Sequence, residues 1–307
     1  MKIWGMEMNV FKLIASTNII LVLFHFHVVG DEIQSELVQK YNTPAMTDGP
    51  PAAGRRVKVT TPEFQKTDVY HSLYLPKNWE KGRKYPVIVE YTGNYFPQAG
   101  STGRVEDASL GFGLSGGEFI WVILPFVDLK SKTNARTWWG DESATIQYAK
   151  TNIPRICREF GGDPDRVFLC GFSRGAIAVN YIGLADDEIA RLWAGFITHD
   201  HYDGERAWNA TAWGKPLEVY RKSAGKRLGR LHGRPVLVMQ ADSTKSIADY
   251  LGENTKQAQF TFFDIQMKSI FPKLPHGHVI HPHNDKWLLY DHPLADQARR
   301  WLKLNAD

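Results

Sequence analysis

Apolar and polar positions along the chain follow the rhythm of strands alternating with helices. Residues 56–60 (RVKVT) and 69–75 (VYHSLYL) alternate with period two, as half-buried strands do, and read as an antiparallel entry pair. Residues 86–91 (PVIVEY) and 119–126 (FIWVILPF) are nearly continuous apolar runs, the kind a central strand needs when helices cover both faces. Further strands are predicted at 167–170, 193–198 and 235–239, and one more within 260–271. Residues 141–160 carry Ile146, Ala149, Ile153 and Ile156 at helical spacing and end at Gly161-Gly162, while Pro154 predicts a kink or a break. Other helices are predicted at 176–184, 217–231, 246–256 and 293–304, the last with Pro293 at its first position. The glycine-rich stretch 93–117 has no period and reads as loop. Such alternation implies an α/β fold, a mostly parallel sheet of about eight strands with helices on both faces.

The segment at 167–184 (VFLCGFSRGAIAVNYIGL) carries the chemistry. A buried strand leads into Gly171-Phe172-Ser173-Arg174-Gly175, which fits G-x-S-x-G, and a small-residue helix follows. In a nucleophile elbow the serine sits on a strained strand-to-helix turn whose glycines let helix and strand pass closely. The pentapeptide occurs a second time, at Gly113-Leu114-Ser115-Gly116-Gly117, but loop precedes that copy and strand follows it, so only Ser173 has the required context.

The strand count and the elbow after the fifth strand resemble the α/β-hydrolase fold over nearly the whole chain after residue 30. Residues 162–175 (GDPDRVFLCGFSRG) are similar to the run into the nucleophile of secreted serine esterases related to feruloyl esterases and polyhydroxyalkanoate depolymerases. The resemblance implies a triad in chain order Ser, acid, His, with the acid after the seventh strand and the base after the eighth. It favours Asp242 as the acid, ahead of Asp249 and then Asp200, which follows the sixth strand. For the base, 275–283 (PHGHVIHPH) offers four histidines. The Gly-His pair favours His278, then His283, with His276 and His281 behind. The oxyanion donors implied are the backbone N–H of Arg174 and one from the loop at Gly93. Asn94, Trp139, His199 and Tyr202 are expected to line the substrate pocket.

The run His199-Asp200-His201-Tyr202-Asp203-Gly204 matches H-x-H-x-D-H except at its last place, so a zinc metallo-hydrolase is one alternative. A serine peptidase and a catalytically dead binding protein on the same fold are the others. The expected function is hydrolysis of a small-molecule or polymer carboxylic ester through an acyl-serine, with no metal and no cofactor. Aromatic residues in the loops suggest an aromatic or sugar-linked substrate.

Composition changes the picture in two places. Apolar content of 43% and charged content of 23% suit a folded globular chain. Residues 1–30 read as a secretory leader, basic at first and then apolar to Phe26, followed by an extended lead-in over 31–54 and one catalytic domain over 55–307. A membrane anchor is the alternative for this leader. Without residues 1–30 the net charge falls from +4 to +3, which argues against nucleic-acid and membrane-surface partners. In a secreted chain Asn209-Ala210-Thr211 is a glycosylation candidate, and Cys157 and Cys170 are either paired or free.

Overall fold

Side chains of the continuously buried central strands point alternately to the two faces of the sheet, and this alternation divides the core in two. The computed structural model describes residues 37–209 and 211–307. The expected leader, the start of the lead-in and Ala210 in the sequon lie outside the described residues. The strands are β1 (Met46–Thr47), β2 (Arg56–Val59), β3 (His71–Tyr74), β4 (Tyr85–Tyr91), β5 (Ile120–Ile123), β6 (Val127–Asp128), β7 (Thr133–Asn134), β8 (Gly162–Phe172), β9 (Gly195–His199), β10 (Pro235–Ala241) and β11 (Gln259–Ile265). The helices are α1 (Leu110–Ser115), α2 (Glu142–Phe160), α3 (Arg174–Tyr181), α4 (Asp187–Ala190), α5 (Leu217–Leu228), α6 (Lys245–Leu251), α7 (Met267–Ile270) and α8 (Pro293–Ala306).

Nine strands form one sheet in the order β1-β2-β3-β5-β4-β8-β9-β10-β11, and β6 and β7 form a separate hairpin. From β5 to β11 the neighbours are parallel, while β3 is antiparallel to both β2 and β5. Val87, Val89, Val167, Leu169, Val236 and Val238 enter one buried cluster. Their chain neighbours Ile88, Phe168, Cys170, Leu237 and Met239 enter the other, on the opposite face. Cys157 belongs to the first cluster and Cys170 to the second, so the sheet separates them, and both are free thiols.

Three local expectations change. α2 runs through Pro154 as one helix, with the Asp141 carboxylate accepting from the Ala144 N–H (2.8 Å) at its start and Gly161 in the left-handed region (φ +75°) after its end. Burial of Tyr148, Ala149 and Asn152 before the proline and of Ile156 and Cys157 after it, all on one face, outweighs the local proline signal. Residues 110–115 are helical rather than loop, and Ser115, of the second pentapeptide, is buried at the end of α1. Glycine is a poor helix former, but here it permits close approach: a Cβ on Gly111 would stand 2.7 Å from the Trp121 indole nitrogen, and one on Gly113 2.8 Å from Leu288 Cβ. The lead-in also adds a strand, β1, at the edge of the sheet.

Candidate active site

The turn from β8 to α3 holds Ser173 at φ +55°, ψ −117°, a conformation that non-glycine residues rarely adopt. Its neighbours make that turn possible. A Cβ on Gly171 would lie 2.1 Å from the Gly175 carbonyl oxygen, and one on Gly175 1.8 Å from that of Tyr91. The Ser173 N–H donates to the His199 carbonyl (2.9 Å), tying the elbow to the end of β9.

His283 Nε2 lies 3.0 Å from Ser173 Oγ, and His283 Nδ1 lies 3.0 Å from Asp200 Oδ2. The Phe172 ring packs on the imidazole at 4.7 Å between centroids. Asp200 is buried, takes the Ala241 N–H on Oδ1 (2.6 Å), and has His199 Nδ1 3.4 Å from the same oxygen. Burial alone would raise the pKa of Asp200, yet His199 and His283 outweigh it and hold the carboxyl well below the usual carboxylate range. His199 Nε2 accepts the Trp287 indole N–H (2.7 Å), which leaves the proton of a neutral ring on Nδ1, facing Asp200.

The acid and base expected from the sequence are therefore corrected. Asp242 is exposed after β10; its N–H donates to the Ile265 carbonyl, and its own carbonyl accepts from Gln266 Nε2 (2.8 Å). Asp249 pairs with Lys245 on the surface (2.7 Å). His278 is exposed at a turn, with its carbonyl accepting from Lys286 Nζ (3.3 Å). His276 packs on Phe271 and Tyr290, and His281 Nδ1 accepts the His283 N–H (3.0 Å). The physical reason is reach. Asp200 follows directly on β9, the strand beside the elbow, whereas β10 lies one strand further out.

A cavity of about 520 Å³ opens over Ser173 and His283. Gly93 and Asn94 line it, and a Cβ on Gly93 would lie 3.4 Å from Ser173 Cβ. Of the four expected pocket residues only Asn94 reaches it; its Oδ1 accepts the Trp138 N–H (2.8 Å). Trp139 is buried and stacked on Tyr181, Tyr202 is buried in the core, and His199 lies behind Asp200. Of the loop aromatics that suggested an aromatic substrate, Tyr95, Phe96, Trp138 and Trp208 line the cavity, and with His201 they form an aromatic wall. The imidazole of His201, desolvated and beside Arg206, has its pKa pushed down to about 3.

Glu90 and Asp285 also border the cavity. Glu90 Oε2 accepts from the Gly111 N–H and the Trp121 indole N–H (both 2.8 Å), and Asp285 Oδ1 from the Ser109 hydroxyl (2.9 Å). Burial raises the pKa of both carboxyls, and the charge of Asp285 adds to the effect on Glu90, which reaches about 7.

The segment 199–203 does not converge on a metal site. His199 turns to Trp287 and His201 to the cavity, while Asp203 pairs with Arg227 (2.6 Å) and accepts from the Tyr220 hydroxyl (2.7 Å). Among the described residues no group of three or more His, Cys, Asp or Glu is placed to hold a metal ion. This corrects the zinc alternative.

No family model matches the chain, and no curated protein matches it. Among solved structures, a sugar hydrolase from Lactococcus lactis aligns at TM-score 0.53 and 13% identity, over 81% of this chain and 98% of its own. AtxE2 isopeptidase aligns at TM-score 0.49 and 15% identity over 81% of this chain, which spans only 39% of the isopeptidase's length. A ferulic acid esterase aligns at TM-score 0.48 and 14% identity, over 81% of this chain and 97% of its own. The strand order, the antiparallel β3, the elbow after β8 and the likeness to the Lactococcus lactis structure agree on one architecture: the chain has the α/β-hydrolase fold.

Proposed function

We propose that this protein is a serine hydrolase that cleaves carboxylic esters through an acyl-Ser173 intermediate. The observation that carries the reading is the unbroken relay from Ser173 Oγ through His283 to Asp200, with both contacts at 3.0 Å. A serine hydroxyl needs a base within hydrogen-bond reach and a third group to orient that base. His283 Nε2 takes the proton as Ser173 Oγ attacks the carbonyl carbon, then gives it to the leaving alcohol; water repeats the cycle to release the acid. Asp200 keeps the proton of the neutral ring on Nδ1 and stabilises the imidazolium. The N–H of Arg174, at the start of α3, and an N–H of the Gly93-Asn94 segment hold the oxyanion. The relay supports this reading over a dead binding protein, which would not require that geometry.

The aromatic wall supports an acyl or alcohol part that carries a ring. In keeping with the leader-like N-terminus, we place the activity in a secreted protein.

The test is labelling with a fluorophosphonate probe and turnover on a panel of aryl and alkyl esters. An adduct mapped to Ser173, with turnover lost in Ser173→Ala, supports the reading. An unlabelled protein that hydrolyses nothing overturns it. Equal rates on aryl and small alkyl esters would remove the ring-binding part alone.

A further inference from the structure

The residue after the nucleophile contributes more than its backbone. The Arg174 side chain turns back beneath the elbow, where it is 1% exposed and its guanidinium lies 4.1 Å above the centre of the Phe126 ring. Among the described residues no carboxylate bonds to it. Instead Nη2 donates to the carbonyls of Gly93 (2.8 Å) and Gly103 (3.2 Å), Nη1 to those of Trp138 (2.8 Å) and Ala135 (3.3 Å), and Nε to that of Thr92 (3.3 Å). One cation thus ties the elbow to three stretches of loop around the cavity. Those stretches also bond to each other: the Tyr95 N–H donates to the Arg136 carbonyl (2.7 Å), and Arg136 Nε to the Thr102 carbonyl (2.8 Å).

Carbonyl oxygens meet this charge in place of a bonded carboxylate, the charge of Asp107 acting on it only from a distance, and an apolar side chain here would leave those carbonyls without their donor. Desolvation pulls its pKa down to about 9, still high enough to keep it charged at neutral pH. What these bonds specify is local geometry. The Gly93 carbonyl and the Asn94 N–H belong to one planar trans peptide and point in opposite directions. Fixing the carbonyl on Arg174 fixes the N–H on the other side, in a segment that touches Ser173 through Gly93. Within the described residues that N–H donates to no backbone carbonyl.

We infer that Arg174 is a positioning residue: through the Gly93 carbonyl its guanidinium aims the Asn94 N–H at the oxyanion, and its own N–H supplies the second donor. The assignment rests on the acyl-serine reading, and it concerns the transition state rather than substrate binding. A donor that is pre-aimed acts on charge as it develops, so losing the aim lowers kcat and leaves KM nearly unchanged.

The test uses the full chain with Arg174→Met, which keeps much of the volume, and Arg174→Lys, which keeps the charge but cannot reach the Gly93, Gly103 and Trp138 carbonyls together. Turnover of a p-nitrophenyl ester should show kcat reduced about 100-fold in Arg174→Met, the size of effect seen when an oxyanion donor is lost, with KM within about threefold. In Arg174→Ala, which leaves the space of the side chain open, guanidinium ion at tens of millimolar should restore part of the lost kcat, and it should leave the wild type unchanged. A purely structural clamp would change melting temperature without this split or this rescue. If Arg174→Met does not fold, Arg174→Lys decides: about a tenfold fall in kcat at constant KM supports the assignment, and kcat within about threefold of wild type overturns it. Failure of the acyl-serine reading looks different, because the wild type would then carry no phosphonate adduct. In that event the Asn94 amide resonance decides: shifted or exchange-broadened in the Arg174 variants if the guanidinium aims it, unchanged if it does not.

Discussion

Two sets of buried carboxyls border or underlie the same cavity and are held in opposite states. Asp200 sits behind the imidazole with His283 on one oxygen and the Ala241 N–H on the other, and these partners, with His199, overcome the cost of burial. Glu90 and Asp285 are as deeply buried, yet only neutral donors contact them directly; burial raises both, and the charge of Asp285 raises Glu90 further, so their carboxyls are pushed toward the protonated form. Burial therefore decides neither state; the partners do. On one side the chain keeps a full charge that can stabilise an imidazolium. On the other it holds a pair that resists ionising together and anchors the start of α1 against β4.

The largest test of that contrast is Asp200→Asn. An asparagine that donates to His283 Nδ1 would force the ring proton onto Nε2, leaving no base facing Ser173, so kcat should fall on the order of 10⁴-fold with little change in KM. Because the folded pKa of Asp200 is depressed, its stabilisation is present above the unfolded value and lost only as pH falls through the folded one. The carboxylate therefore stays ionised throughout the working range and adds no limb to the pH–rate profile. A kcat within about tenfold of wild type in the variant would show that the relay does not run through Asp200.

A smaller effect is expected from Glu90 and Asp285. The folded pKa of Glu90 is raised, so its contribution to stability is complete below the unfolded value and is lost as pH rises through about 7. The interval corresponds to about 3 kcal/mol, or roughly 5–10 °C in melting temperature for a chain of this size. Asp285→Asn keeps an oxygen for the Ser109 hydroxyl and removes the neighbouring charge, so the decline between pH 5 and pH 8 should be shallower in the variant. Melting curves that stay parallel to wild type across that range would mean the two carboxyls do not interact.

The elbow was legible because its determinants are contiguous: a buried strand, two glycines with no room for a Cβ, and a helix all lie within residues 162–181. The acid and the base were not, because which strand end reaches the imidazole depends on sheet order and not on any local pattern. Asp200 stood third among the acids and His283 second among the bases for want of that order. The glycine-rich α1 was missed because close packing against Trp121 and Leu288 overrides helix propensity. Trp138 and Trp139 show the limit most sharply. Trp138 takes a left-handed turn (φ +49°), so one of two adjacent indoles lines the cavity while the other stacks in the core.

The smallest expected effect falls on the residues that the resemblance favoured. Asp242 sits at φ +64°, a conformation asparagine tolerates well, so Asp242→Asn removes a carboxylate without straining the backbone. His278 is exposed, and the contact it makes through its carbonyl survives His278→Gln. Neither side chain belongs to the Ser173–His283–Asp200 relay, so each single variant should keep ester turnover within about twofold and stability within about 0.5 kcal/mol. The double variant tests independence, since sites without shared partners should give additive effects. A tenfold or greater loss in either single variant would mean that the acid or the base comes from the later loops after all, and Asp200 would then be a third structural carboxyl beside Glu90 and Asp285.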